Sequence, residues 1–348
     1  MELRIPNSLV WTITERCNLR CEHCSIIGLN GEAKDQEIGT ERCFELIKDF
    51  AKLKIFSISF TGGEPLVRKD FEEILKYAHQ NGIVCTLASN GLLIDKRLAE
   101  TLALCEVPVV AISLDGYNEY SHDQIRGKGS FKKSLEAINN LKNLGIKVSV
   151  SVAIGNNNLY NYEKMLEYFY GLNIDSVKVQ VISYFDRVQK FKKDKILSLN
   201  YEQLKYLGKI TNEFCRKKNK YFVKFACNVG FLNYSYLSEW VKEPNPLGTC
   251  GVGTDMLMIR ANGTVTTCIH GYLNETLGNL KETGLSEIIN QSKDILQKWY
   301  NKTNINGNCN SCSVFSSCKG GCRALAELET QKFFESDPNC NFYELNIK

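Results

Sequence analysis

Six short apolar runs alternate with amphipathic stretches between Leu9 and about Ala226, and this alternation restricts the fold more than any other feature of the chain. The runs are Val10 to Thr14, Ile55 to Phe60, Ile83 to Ala88, Val107 to Leu114, Lys147 to Ile154 and Ser176 to Ile182. Each is rich in Val, Ile and Ser/Thr and apolar on both faces, which suits buried parallel strands. Between them, Glu41 to Lys52, Asp70 to Asn81, Ser130 to Leu144 and Asn161 to Tyr170 carry helical periodicity. Thr40 is the expected N-cap of the first helix, and Gly82 and Gly145 stop two of the others. Right-handed crossovers between parallel strands leave two choices, an open doubly wound sheet or a curved, partly closed barrel. Either one gathers its site at the C-terminal strand ends.

The residues of chemical interest fall on those ends. Cys17, Cys21 and Cys24 follow strand one with the spacing C-x3-C-x2-C. Thr61-Gly62-Gly63-Glu64-Pro65 follows strand two, Asn90-Gly91 strand three and Asp115-Gly116 strand four. Three thiolates with no fourth cysteine nearby can hold a cubane by three corners and leave one iron open for chemistry. Zinc is the other ligand reading; its structural sites are closed by four ligands, and the nearby candidate is His23, inside the C-x2-C step.

The chain has 15 cysteines. Cys43, Cys85, Cys105 and Cys215 lie in helix or strand patterns and read as inert core thiols. A second ligand set runs Cys250-x12-Gly263-x4-Cys268 and then Cys309-x2-Cys312-x5-Cys318-x3-Cys322-x17-Cys340. Asn262-Gly263 reads as a two-residue hairpin turn that returns Cys268 towards Cys250. Pro-Asn-Pro-Leu-Gly at 244–248 punctuates the chain before this set, so two domains are expected, 1–245 and 246–348. The basic stretch Ser183 to Asn200 reads as a solvated loop. It leads into a helix from about Tyr201 to Lys218 and a strand from Tyr221 to Ala226.

A net charge of +4 is too weak to argue for nucleic acid. No apolar run approaches the roughly 18 to 20 residues of a membrane span, and the N-terminus lacks a signal peptide. A cytoplasmic, reducing setting is expected, in which so many cysteines mean metal ligation rather than disulfides.

Cys17-Asn18-Leu19-Arg20-Cys21-Glu22-His23-Cys24 resembles the signature of the radical S-adenosylmethionine (radical SAM) superfamily. The resemblance implies a partial (β/α)6 TIM-like barrel, with Gly62, Gly63 and Glu64 receiving the SAM amino group, Asn90, Ser113 and Asp115 beside the cofactor, and Arg126 meeting its carboxylate. A Gly-Gly step permits close backbone approach, and a carboxylate pairs with an ammonium. The C-terminal set resembles the SPASM extension of these enzymes, a small cysteine-rich domain with two auxiliary 4Fe-4S clusters, which makes three clusters in all. By that pattern Cys309, Cys312, Cys318 and Cys340 complete one cluster, while Cys250, Cys268 and Cys322 hold the other with one corner unassigned. Asp255, His270 or Cys227 would fill it, or it is open to substrate or filled by an outside ligand, the favoured reading; His270, Cys227 and Asp255 are also the catalytic candidates.

The implied reaction is reductive cleavage of SAM to a 5'-deoxyadenosyl radical, followed by hydrogen abstraction from a peptide or small protein during maturation. A flavodoxin or ferredoxin would supply the electron. Sulfatase-maturing relatives carry an aspartate directly after the second cysteine of the extension, where this chain has Ile269, so formylglycine formation is not the expected product. Strand one begins within about ten residues of Met1, so leader recognition is expected from a separate leader-binding protein or the barrel mouth. The alternatives are oxidation of a small molecule such as a tetrapyrrole or sugar and, outside enzymes, a zinc-binding structural protein.

Overall fold

The computed structural model describes residues 5–24, 37–182, 198–220, 222–226, 229–237, 250–268, 276–301 and 304–340. Cys227, Ile269, His270 and the basic residues Arg187, Lys190, Lys192, Lys193 and Lys195 lie outside them.

All six expected strands form: β1 (Ser8–Thr14), β2 (Ser57–Gly62), β3 (Val84–Ser89), β4 (Val109–Ser113), β5 (Lys147–Ile154) and β6 (Ser176–Val181). Helices alternate with them: α1 (Thr40–Lys52), α2 (Phe71–Gln80), α3 (Lys96–Leu104), α4 (Glu119–Arg126), α5 (Ser130–Asn143), α6 (Tyr162–Gly171) and α7 (Tyr201–Lys218). Thr40 does not cap α1. Gly39 holds the N-cap position, and the Thr40 hydroxyl donates to Asp70 at 2.6 Å. A carboxylate within reach competes with the local backbone for that hydroxyl.

The chain forms two compact units, residues 1–114, 118–149 and 252–300 in one and 115–117, 150–251 and 301–348 in the other. In the first, β1 to β4 pair in parallel in chain order, and β8 (Met256–Ile259) adds in parallel to the free edge of β1, Met256 facing Ser8 and Ile259 facing Trp11. A segment following Cys250 is thus built into the same sheet as the strand that precedes Cys17. In the second unit β6 pairs in parallel with β7 (Val223–Phe225).

The strands are not buried equally on both faces. Leu9, Trp11 and Ile13, Ile58 and Phe60, Cys85 and Leu87, and Val110 and Ile112 are buried, whereas the alternate residues Thr12, Ser59, Thr61, Thr86, Ala88, Ala111 and Ser113 stay partly accessible. The buried face packs on the helices, with Trp11 stacked 6.0 Å from Phe60 and edge-on to Phe50, and Phe71 edge-on to Phe60. Small side chains on the other face leave room above it, and Ser113, Thr61 and Ala88 lie there. The second unit's core gathers Tyr162, Phe169, Val177, Val179, Leu207 and Phe222.

The hairpin after Cys250 also departs from expectation. Strand β8 returns through Arg260 to Gly263 into β9 (Thr264–Thr266), with Gly263 N donating to the Arg260 carbonyl at 2.9 Å and Arg260 N to the Thr264 carbonyl at 2.9 Å. Gly263 has φ of 89°, so a tight turn followed by a left-handed residue replaces the two-residue loop. Strand β10 (Thr276–Asn279) pairs antiparallel with β9. Among the described residues no helix is long and apolar enough to cross a membrane.

Candidate functional site

The loop leaving β1 presents Cys17, Cys21 and Cys24 as half-buried thiols, none of them in a disulfide. It is folded locally: Leu19 N donates to the Cys17 sulfur at 3.4 Å and Cys24 N to the Cys21 carbonyl at 3.2 Å. Two other elements meet it. Arg126, the last residue of α4, donates from Nη1 to the Cys21 sulfur at 3.8 Å, and Glu22 N donates to the Ile125 carbonyl at 3.1 Å. Asn90, after β3, donates from Nδ2 to Asn18 Oδ1 at 2.7 Å and lies 4.0 Å from the Cys17 sulfur. Burial pushes the Cys17 thiol above its ordinary pKa; the Leu19 N–H and Arg126 oppose that rise, while Glu64 and Cys24 add to it.

Among the described residues no three His, Cys, Asp or Glu side chains are gathered closely enough to hold one metal ion. A cubane takes its three thiolates on three different irons, so it asks for separated sulfurs on one loop rather than a single point of convergence. Three half-buried thiols with an arginine and an amide beside them fit that requirement.

The Gly-Gly step lies directly under this loop. Gly63 N donates to the Thr14 carbonyl at 2.9 Å and Glu64 N to the Arg16 carbonyl at 2.8 Å. A Cβ on Gly62 would collide with the Thr14 carbonyl and one on Gly63 with the Arg16 carbonyl, so close backbone approach excludes any side chain. The Glu64 side chain is fully buried and accepts from Asn90 N at 2.7 Å, Ser89 Oγ at 2.9 Å and Leu66 N at 3.3 Å. Burial pushes its pKa up to about 7 despite those three donors and Arg126. A carboxylate has about four lone-pair sites, so one acceptor position remains for an ammonium. Glu64 therefore also fixes the start of the Asn90 loop.

Ser113 ends β4 on the partly accessible face. Asp115, in the second unit, is fully buried and accepts from Ala153 N at 2.8 Å, which ties the turn after β4 to the end of β5.

Sequence reasoning missed Arg68. Its buried guanidinium donates to the carbonyls of Ile13 at 3.0 Å and Ile38 at 2.8 Å and pairs with Asp70 through Nε and Nη2, both at 2.9 Å. It braces the end of β1 against the segment entering α1. Arg16 and Glu37 form a second clasp, 3.1 Å apart, with Thr14 Oγ1 donating to Glu37 at 2.6 Å. The only sequence signal for Arg68 was its position three residues after Pro65.

Of the C-terminal cysteines, Cys268 belongs to the first unit and Cys250, Cys309, Cys312, Cys318, Cys322 and Cys340 to the second. Cys309 N donates to Ser336 Oγ at 3.3 Å, Cys312 N to the Cys309 carbonyl at 3.2 Å, and the Cys340 N to the Asp337 carbonyl at 2.9 Å. Asp337 is fully buried and accepts from Cys322 N at 2.7 Å; burial pushes its pKa up to about 6, against the N–H groups of Cys322 and Asn339 and the charge of Arg323. Burial likewise pushes the Cys318 thiol up to about 11, against the Gly321 N–H.

Asp255 is exposed, and its backbone carbonyl accepts from Ser8 N at 3.1 Å. It stands at the start of β1, while Cys17 follows that strand's end, roughly 20 Å away at the usual strand rise. The hairpin, in which Thr266 faces Met258, carries Cys268 back towards the Asp255 end of β8.

Two family models match the chain: the radical SAM superfamily over residues 11–169 and the SPASM iron-sulfur cluster-binding domain over residues 250–313. The chain belongs to the radical SAM superfamily and carries a SPASM iron–sulfur extension. It is 27% identical to the AdoMet-dependent heme synthase of Nitratidesulfovibrio vulgaris, over 96% of this chain and 92% of that protein. It is 28% identical to the mycofactocin maturase MftC of Mycolicibacterium smegmatis, over 97% of this chain and 83% of that protein. Among solved structures, SuiB of Streptococcus suis bound to S-adenosylmethionine superposes with a TM-score of 0.76 at 19% identity, over 97% of this chain and 78% of that one. The protein is thus an enzyme of the radical SAM class, with SAM and iron–sulfur clusters as its cofactors.

Proposed function

We propose that the protein modifies a peptide or small protein oxidatively during its maturation. The observation that carries the radical reading is the meeting of Asn90 and Arg126 on the Cys17–Cys24 loop, with Glu64 fixing Asn90 from below. When bound to the cluster, SAM would supply, on one-electron reduction and loss of methionine, a 5'-deoxyadenosyl radical able to take a hydrogen atom from the substrate. The chain's own residues bind and orient it. Gly62, Gly63 and Glu64 receive the amino group, Arg126 offers a guanidinium to the carboxylate, and Asn90, Ser113 and Asp115 flank the nucleoside. The small side chains on the accessible face of β2 to β4 leave space for the reacting group.

In this reading residues 1–245 form the barrel and 246–348 the auxiliary domain, with the β8–β9 hairpin lending its first strand to β1. Cys309, Cys312, Cys318 and Cys340 hold one auxiliary cluster; Cys250, Cys268 and Cys322 hold the other. Asp255 stands far from the Cys17 loop, which argues against its acting as a base on the reacting group, and the corner left by Cys250, Cys268 and Cys322 is open or filled from outside. The SAM cluster would take its electron from a flavodoxin or ferredoxin in the cytoplasm, the auxiliary clusters would accept the electron left on the substrate after hydrogen abstraction, and a separate leader-binding protein or the barrel mouth would present the peptide. Likeness to a maturase over nearly the whole chain, and to a fold solved with the precursor peptide SuiA, supports this substrate class.

The likeness to AdoMet-dependent heme synthase favours a second reading, oxidation of a tetrapyrrole side chain. Anaerobic reconstitution with iron and zinc analysis, followed by 5'-deoxyadenosine formation under dithionite, tests both. About twelve irons per chain with SAM cleavage supports three cubanes, and transfer of substrate deuterium into 5'-deoxyadenosine from a labelled peptide or a labelled tetrapyrrole selects the substrate. Zinc without iron and no cleavage would overturn the proposal.

A further inference from the structure

The segment from Cys318 to Cys340 is built around one buried cation. The Arg323 side chain is almost fully enclosed; its Nη1 donates to the carbonyls of Phe333 at 2.8 Å and Glu335 at 2.5 Å, and its Nη2 donates to the carbonyl of Gly320. Gly320 lies inside the C-x3-C step, so the guanidinium presses against the loop that joins Cys318 to Cys322. Its Nε–H is buried and has no hydrogen-bond partner among the described residues. Burial lowers the pKa of its guanidinium; Asp337 opposes that first, then Cys309, Cys322 and Cys318 to the extent that their thiols ionise. In the ligand assignment proposed above, Cys309 and Cys318 belong to one auxiliary cluster and Cys322 to the other. One fixed positive charge therefore stands within electrostatic reach of sulfurs assigned to both.

The three carbonyls account for a structural role, since a buried guanidinium can replace missing secondary structure as a hydrogen-bond hub. They do not account for the orphaned Nε–H, nor for a full charge beside a group of thiols. In a low-dielectric site a cation stabilises the form of a neighbouring centre that carries the extra electron, and N–H donors to sulfur act in the same direction. Guanidinium is suited to this place because it stays charged and gives up hydration more easily than an ammonium.

We propose that Arg323 is a positioning residue that raises the reduction potential of the auxiliary iron–sulfur centres, by fixing a buried positive charge against the loop that joins Cys318 to Cys322. The inference rests on reading residues 246–348 as the auxiliary-cluster domain. Its consequence is that these centres accept an electron more readily than the same clusters would without the arginine.

The test uses the full-length chain with Cys17, Cys21 and Cys24 all changed to Ala, so that only auxiliary clusters contribute to the spectrum. Iron content and EPR-monitored redox titration are measured for this protein and for Arg323→Gln and Arg323→Lys placed in it. The expected result is about eight irons per chain, a shift of at least one midpoint to more negative potential in Arg323→Gln, and a midpoint close to the parent's in Arg323→Lys. Absence of iron in the parent would show that the ligand assignment is wrong, and the inference falls with it. Full iron with an unchanged midpoint in Arg323→Gln overturns the inference alone, as does an equal shift in Arg323→Lys. Should Arg323→Gln lose its iron, Asp337→Asn decides: removal of the neighbouring negative charge moves the midpoint positive if these charges set it, and an unmoved midpoint rejects the idea.

Discussion

Two buried arginines brace the backbone near the two sets of cysteines, and they do so in different company. Arg68 bridges the carbonyls of Ile13 and Ile38 beneath the first loop and has a bidentate partner in Asp70. Arg323 gathers the carbonyls of Gly320, Phe333 and Glu335 in a region that has short helices and turns but, among residues 304–340, no strand. At the first site the parallel sheet already satisfies most of the backbone, so the arginine adds a brace to an existing frame. At the second the side chains of Arg323, Asp337 and Ser336 take over work that a sheet does elsewhere. The thiols of the first loop are all half-buried, whereas in the second region Cys309 and Cys322 are buried and Cys312, Cys318 and Cys340 stay half-buried.

The sharpest way to separate the two regions is Cys24→Ala. It should reduce SAM cleavage to background while the C-terminal set keeps its iron, a loss of about a third of the total. Retained cleavage, measured as 5'-deoxyadenosine by chromatography, would break the assignment of the first loop. Next in size is Arg68→Met, which leaves Asp70 and two buried carbonyls without their partner and should cost about 3–5 kcal/mol. Denaturant unfolding under anaerobic conditions reads this out, and a loss below about 1 kcal/mol would mean the sheet alone holds the loop.

Gly63→Ala should cost about 2 kcal/mol, because its Cβ meets the Arg16 carbonyl and the backbone has to shift. The shift would also displace the edge proposed to receive SAM, so weaker SAM binding should accompany the lower stability. The smallest effect is a pH dependence. Glu64 has its pKa raised to about 7 in the folded chain, from an ordinary value of 4.5. An ammonium ligand prefers the ionised carboxylate, so SAM affinity should rise roughly tenfold between pH 6 and 8 and then level off. For the unliganded chain the sign is opposite. The protonated carboxyl favours the fold fully below pH 4.5, and that contribution is lost as pH rises through about 7. Equilibrium dialysis with labelled SAM checks the first trend, and a flat profile would remove Glu64 from the SAM contacts.

Much of the first site was legible because its parts are local. Strand periodicity, the C-x3-C-x2-C spacing and Gly62-Gly63 each occupy a few adjacent residues, and parallel crossovers bring their loops to one end whatever the remaining contacts are. What escaped was long-range. The Thr40 hydroxyl turned to Asp70 instead of capping its own helix, and Arg68 gave no periodic signal because its partners lie 55 and 30 residues away in the chain. The pairing of β8 with β1 crosses about 250 residues, and four apolar residues after a cysteine do not say which strand edge they will find.

The sequence by itself determined the six-strand alternation, the cysteine spacing on which the proposed ligand sets rest and the glycine step, since each follows from side-chain type and spacing along the chain. Only the tertiary structure decided that Glu64 is buried under Asn90, that Arg126 reaches Cys21 and that Arg323 lies enclosed among the second set of cysteines. Burial and charge proximity depend on which distant segments exclude water from a group, and no local pattern encodes that.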